Sequence, residues 1–185
     1  MASAPGSQGL ALLVVDMQTA FLPAMAQGQA CLKRCELAIK LARLLEVPIY
    51  FTEQVPAKLG HTHPDLIQAA GAGAKVLAKT SFSAWEEPSF VAACEAGGVQ
   101  HLLICGLEGP VCVYQTALAA QQSLGGVTLL ADAVTERRPE DTKSCWETLR
   151  HTGVTILPVE TVFYALLGGA THPHFKQFTQ CVKEA

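Results

Sequence analysis

Charge is scarce in this sequence. Charged residues occupy 16% of its 185 positions and aromatic residues 6%, against roughly 25% charged in an ordinary soluble domain. A chain this poor in charge and rich in apolar residues is not a disordered polymer. Thirteen Lys and Arg against sixteen Asp and Glu leave a net charge of −3. No basic block is present to neutralise phosphates, which argues against a nucleic-acid partner. No apolar run approaches the ~18 residues of a membrane-spanning helix, so no membrane partner is expected. The stretch Met1–Leu10 carries no Lys or Arg and therefore lacks the basic start of a secretory signal.

The seven cysteines, at 31, 35, 94, 105, 112, 145 and 181, are odd in number and form no C-x2-C pair. Cys31 and Cys35, four apart, are a weak metal pattern. Reduced and mostly buried thiols in a cytoplasmic protein are the expectation. No G-x-G-x-x-G follows the first apolar run, and Gly71-Ala72-Gly73 precedes a strand-like run instead of opening a helix. A dinucleotide cofactor is therefore not expected. There is no internal repeat, low-complexity tract or linker, and the whole chain, 1–185, reads as a single domain.

What the sequence does have is apolar residues, 50% of the total, with a mean hydropathy of +0.27. They fall in short β-branched runs: Leu10–Asp16, Val47–Glu53, Ala74–Lys79, Gln100–Gly106, Val127–Asp132 and Gly153–Val159. Between these runs the spacing predicts helices over Ala30–Glu46, Trp85–Ala96, Val113–Leu124 and Pro139–Thr152. Two more are predicted near Thr161–Leu167 and Pro173–Lys183. Strands buried on both faces and alternating with helices make an α/β fold. The expectation is one doubly wound, mostly parallel six-stranded sheet, Rossmann-like, with helices on both faces and an order resembling 3-2-1-4-5-6. The high hydropathy also fits a homo-oligomer, a dimer or tetramer.

Ligands in such sheets bind beyond the carboxyl ends of the strands, where the strand order reverses. Three groups at predicted strand ends carry chemistry. Cys112 begins a helix, where the macrodipole and free N–H groups favour a thiolate and can hold an oxyanion. Asp16 ends the first strand and can accept a proton. Lys79 follows Val-Leu-Ala and can lower the pKa of a neighbouring thiol. Taken singly, each also has an ordinary role: a small apolar residue at a helix start, a turn acid, a surface lysine.

The pieces L-L-V-V-D16-M-Q, L-A-K79-T-S-F-S and C-G-L-E-G-P-V-C112-V, in this order and spacing, resemble the isochorismatase-like cysteine hydrolases. The likeness spans nearly the whole chain. A-R-L-L-E-V-P, T52-E53-Q54 and H-P-H-F-K are most similar to the isochorismatase domain-containing branch. The resemblance implies that Asp16 is a general base, Lys79 a cation that lowers the thiol's pKa, and Cys112 the nucleophile. It further implies a non-proline cis peptide at Leu107–Glu108, with the N–H groups of Glu108 and Cys112 as oxyanion donors. The activity implied is hydrolysis of a small amide or related C–N substrate through a thioester. Isochorismate hydrolysis itself is disfavoured, because the family's namesake enzymes do not use a cysteine. The alternative is a silent binding or scaffold protein that keeps the fold.

Nicotinamidases of the family place an Asp-x-His metal motif after the second strand, where this chain has Glu53-Gln54-Val55-Pro56. No metal or other cofactor is therefore expected. His61 and His63 read as loop residues, and a metal-using amidase would need them to meet an acid. His172 and His174 flank Pro173 at a helix start, a structural setting. Many relatives carry Thr where this chain has Gly109. Candidate substrate contacts are Gln18, Phe21, Glu53, Phe82 and Trp85. A ribonuclease role finds no basic patch with interleaved aromatics.

Overall fold

The computed structural model describes residues 8–185. The first seven residues of the expected 1–185 unit, and with them most of the Met1–Leu10 stretch, lie outside the described residues. Six parallel strands form one sheet in the order β3-β2-β1-β4-β5-β6. They are β1 (Leu10–Val15), β2 (Ile49–Gln54), β3 (Lys75–Lys79), β4 (His101–Leu107), β5 (Gly126–Thr135) and β6 (Thr155–Leu157). The expected order and the doubly wound α/β architecture are both present.

Alternation along the strands sorts side chains into two cores. Leu12 and Val14 of β1, Phe51 of β2 and Leu103 and Cys105 of β4 face α1 (Gly28–Leu44), and this layer is completed by three more helices. Those are α3 (Pro64–Ala70), α7 (Val159–Leu167) and α8 (Phe175–Lys183). On the other face, Leu13, Val15, Tyr50, Leu102, Ile104 and Leu129 meet α4 (Pro88–Ala96), α5 (Tyr114–Ser123) and α6 (Pro139–His151). The one-turn helix α2 (Pro56–Leu59) lies in the loop after β2.

Several boundaries differ from the sequence reading. The short helices α2 and α3 fall in the Gly/Pro-rich stretch read as loop, each opened by a proline at its first turn. The helix predicted from Trp85 begins at Pro88, because Ala84–Glu86 forms a separate 3-10 turn. β5 runs on to Thr135, with a register shift opposite Ile104–Gly106.

That irregularity belongs to the site. β1 and β4 are the neighbours at which the strand order reverses, and Val15 pairs with Gly106. Gly106 has φ +119°, and a Cβ there would stand 2.2 Å from the Val15 carbonyl oxygen and 2.6 Å from its nitrogen. Only glycine lets β4 run this close to β1 as the two strands deliver Asp16 and the Cys112 loop to the same place.

The peptide bonds of the described residues are all trans, which corrects the cis bond expected at Leu107–Glu108. The chain leaves β4 by another route: after Gly106, Glu108 takes the left-handed conformation, φ 50° and ψ 77°. Its carbonyl oxygen then accepts from the N–H groups of Val111 (3.0 Å) and Val113 (3.1 Å).

Gly106→Ala tests this dependence. Strain at a positive φ and backbone overpacking, each worth ~1–3 kcal/mol, act together here. The expected loss of about 3 kcal/mol or more will show as a lower urea midpoint; an unchanged midpoint refutes the reading.

Candidate active site

β1 ends in five consecutive fully buried residues, and the chain turns at Asp16, φ 50°, beyond the carboxyl edge of the sheet. On the other side of the reversal, a π-helical turn, Gly109–Val113, opens α5 and carries Cys112. Irregular helical turns of this kind recur at functional sites. Lys79 ends β3, an edge strand that is otherwise largely exposed. Asp16, Lys79 and Cys112 thus arrive from three strand ends and are brought together by the sheet.

Lys79 has a completely buried side chain, and its Nζ lies 2.7 Å from Asp16 Oδ2. The same ammonium donates to Cys112 Sγ at 3.6 Å and to the carbonyl oxygens of Ser81 (3.1 Å) and Phe82 (3.2 Å). It also bonds to Gln54 Oε1. Asp16 Oδ1 accepts from Thr52 Oγ1 at 2.9 Å. Register explains these partners. Gln54 stands opposite Lys79 across the β2–β3 ladder, and Thr52 opposite Val15 across β1–β2. Thr52 and Gln54 fall two and four residues after Tyr50, so all three share a face.

The thiol is not held as a thiolate. Burial pushes Cys112 up to about 12; the charge of Asp16 pushes the same way, and Lys79 pulls down without compensating. The expected downward pull of Lys79 is present, but burial and the charge of Asp16 outweigh it, so the net shift is upward where a depressed pKa was expected. In a buried site that holds a carboxylate and an ammonium together, a second anion is costly. The resting thiol keeps its proton, with Asp16 beside it.

A pocket of about 350 Å³ opens over these groups. Its polar floor includes Asp16, Gln54 and Cys112; its walls are Phe21, Ala24, Met25, Phe82, Leu107 and Val111. Glu108 and Arg137 stand at its rim, joined to each other by an ion pair.

Phe21 and Phe82 line the pocket, in line with the sequence reading, and Leu107 and Glu108 border it. Three other candidates do not. Gln18 is fully buried, and its amide clamps the loop after β2. It donates to Gly60 O (2.7 Å) and Gln54 O (3.1 Å) and accepts from Gln54 N (2.7 Å). Glu53 points to the opposite side of β2. It accepts from Thr62 N (2.8 Å) and Thr62 Oγ1 (2.9 Å) and meets His61 Nδ1 at 3.0 Å. Burial pushes Glu53 up, but these partners outweigh it and hold its carboxyl below the usual range.

Trp85 packs edge-on against Phe90, ring centroids 5.8 Å apart, and its indole N–H donates to Ser123 Oγ. The 3-10 turn after Phe82 carries it away from the pocket. Sequence reasoning does not find Gln54, Met25, Val111 or Arg137. Strand parity with Tyr50 is a usable signal for Gln54, whereas the others depend on loop paths. His63 caps α3, its ring accepting from Asp65 N, and His174 stands at the start of α8 beside Gln177 without capping it. Among the described residues, no three His, Cys, Asp or Glu side chains are grouped to hold a metal ion.

A profile of the isochorismatase domain matches residues 10–161. The chain belongs to the isochorismatase family. Isochorismatase domain-containing protein 2 of Danio rerio is 33% identical over 171 residues, 92% of this chain and 85% of that protein. The Homo sapiens protein of the same name is 32% identical over 181 residues, 97% of this chain and 85% of its own. Among solved structures, the MAR1 ribonuclease of Caenorhabditis elegans superposes with a TM-score of 0.89 at 29% identity. The match covers 96% of this chain and 91% of that one. The Escherichia coli YcaC product, described as an octameric hydrolase of unknown specificity, gives 0.84 at 20% identity, covering 96% and 94%. The fold is therefore that of the isochorismatase-like hydrolases.

The thiol's surroundings give a signed expectation. Asp16→Asn removes a charge that opposes ionisation of Cys112 and leaves Lys79, so the thiol pKa falls; Lys79→Met does the reverse. Alkylation of Cys112 against pH, followed by mass spectrometry, is expected to show midpoints in the order Asp16→Asn, wild type, Lys79→Met. A midpoint for Asp16→Asn at or above the wild type contradicts it.

Proposed function

We propose that the chain is a cysteine-dependent hydrolase of small amides or related C–N substrates, with Cys112 as nucleophile, Asp16 as general base and Lys79 as the cation between them. The observation that carries this reading is the buried ammonium of Lys79, within reach of both the carboxylate and the thiol on the floor of an open pocket. A lysine with only structural work has no need of a thiol at its side.

The chemistry follows from the arrangement. As the substrate carbonyl enters, the thiol proton passes to Asp16 and the sulfur forms a bond to carbon. The protonated aspartic acid and the thiolate together carry no more charge than the aspartate and thiol they replace, so Lys79 keeps one negative neighbour throughout. The oxyanion faces the N–H groups at the start of the π-helical turn, that of Cys112 first among them, and Glu108 supplies the second donor from a trans backbone. Collapse breaks the C–N bond, and the leaving amine takes the proton from Asp16. Water, deprotonated by Asp16, then cleaves the thioester and returns the proton to sulfur. The sum is amide plus water to carboxylic acid plus amine.

The same reading places the protein in the cytoplasm as a single domain acting in a homo-oligomer, without a nucleic-acid or membrane partner. The octameric state named for YcaC supports the oligomer; no helix of the described residues is long and apolar enough to cross a membrane. The ribonuclease name of the Caenorhabditis elegans structure is not carried over. The cation at this pocket's rim, Arg137, is paired with Glu108, and an apolar cleft offers phosphates little.

Incubation with a panel of small primary amides, read by ammonia release and intact mass, tests the proposal. An acyl adduct on Cys112 is expected, absent in Cys112→Ala. Turnover is expected to fall ~10²–10⁴-fold in Asp16→Asn, the usual worth of a general base. Neither adduct nor ammonia with any amide would leave the fold as a binding protein.

A further inference from the structure

The pocket lining also bears on which amides a Cys112 hydrolase would accept, a question that rests on the hydrolase reading. The polar side chains on the pocket floor are largely engaged by the protein, with one Nε2 hydrogen of Gln54 left over. An ammonium has three hydrogens to donate, and Lys79 Nζ has Asp16, Gln54, two carbonyl oxygens and Cys112 around it. Gln54 gives its amide oxygen to Lys79 and its Nε2 to Thr80 O at 2.9 Å. Asp16 is held by Thr52 and Lys79. At the rim, Arg137 and Glu108 neutralise each other.

Beyond the thiol, Asp16 and the N–H groups assigned to the reacting carbonyl, what remains for the acyl group to touch is mostly carbon. Phe21, Ala24, Met25, Phe82, Leu107 and Val111 form the walls, and Phe82 keeps 56% of its surface exposed. That is a large aromatic face with no protein partner sufficient to cover it. At about 350 Å³ the pocket lies at the small end of ligand sites.

We propose that the acyl group taken by this site is neutral, compact and apolar, a branched aliphatic chain or a single aromatic ring, delivered as a primary amide. A carboxylate or ammonium on the acyl group would lose its hydration inside and meet no free partner, so such amides are rejected. The competing feature is Arg137, which could read a carboxylate from the rim. Its side chain is 63% exposed and already carries Glu108, and an exposed charge of that kind contributes little.

Labelling of Cys112 separates the classes without requiring turnover. Iodoacetate, iodoacetamide, N-(2-aminoethyl)iodoacetamide and N-phenyl iodoacetamide share one reacting carbon and differ in charge and apolar bulk. Rates at Cys112 in the whole folded protein, read by peptide mass spectrometry, are divided by those of a free cysteine peptide. The corrected rate of the phenyl reagent is expected to exceed those of the anionic and cationic reagents at least tenfold. Phe82→Ser, a change at an exposed side chain, is expected to shrink that ratio severalfold.

Corrected rates within threefold of one another overturn the inference. So does a preference for iodoacetate that Arg137→Gln abolishes, which marks the site as a carboxylate reader. If no reagent labels Cys112, both the nucleophile and the substrate class fall. Selective labelling with no ammonia from isobutyramide or benzamide supports the pocket's preference and removes the hydrolase reading.

Discussion

An ammonium cut off from solvent is the most expensive group in this structure, and the site is organised around its cost. Taking a lysine out of water costs several kcal/mol, recovered only if every donor finds an acceptor and the charge finds a counter-ion. Lys79 ends an edge strand, the place where a lysine ordinarily points outward. Here β2 presents Gln54 directly opposite it, the loop after β3 folds its own carbonyl oxygens back onto it, and Asp16 supplies the charge. Removing one partner leaves a buried uncompensated charge, worth ~3–5 kcal/mol. The geometry around Cys112 is therefore fixed by stability as well as by chemistry.

The same constraint explains why the fold is more legible in the sequence than the pocket. Runs such as Leu10–Val15, buried on both faces, announce a parallel sheet in composition alone, and the alternation with helices sets its handedness and layers. The strand-end rule then points to Asp16, Lys79 and Cys112, and the family likeness joins them. Gln18 and Glu53 stand at the right strand ends but serve the loop at Gly60–Thr62, and nothing local tells a reader that a loop forty residues away will claim an amide. Trp85 fails for a different reason: three residues of 3-10 turn reverse its direction, where a continuing α-helix is expected. Glu108 does sit at the turn. Its backbone takes a left-handed conformation where the family resemblance implies a cis bond.

Gly109 sits where a side chain has little room. A Cβ at that position would stand 3.0 Å from Glu136 Oε2 and 3.3 Å from Trp146, so the space that a threonine would fill is taken from behind. Glu136, next to the rim residue Arg137, is mostly buried there; burial raises its pKa, Thr142 opposes, and the nearby charge of Glu108 raises it further.

A thiol held near 12 and proposed as a nucleophile is a contradiction only if ionisation must precede attack. A free thiolate at neutral pH would be reactive toward any oxidant or electrophile that reached the pocket. Burial and the neighbouring Asp16 both favour the protonated thiol, and in the proposed mechanism the proton leaves sulfur only as the substrate carbonyl arrives. In that proposed step, transfer to Asp16 would move the negative charge from oxygen to sulfur and onward to the substrate oxygen, while Lys79 lies within reach of both the carboxylate and the thiol. Little charge has to be rebuilt, so the buried site has little reorganisation to undergo. Burial first, and the Asp16 carboxylate after it, raise the thiol's pKa; in the proposed mechanism that same carboxylate takes the proton as sulfur attacks.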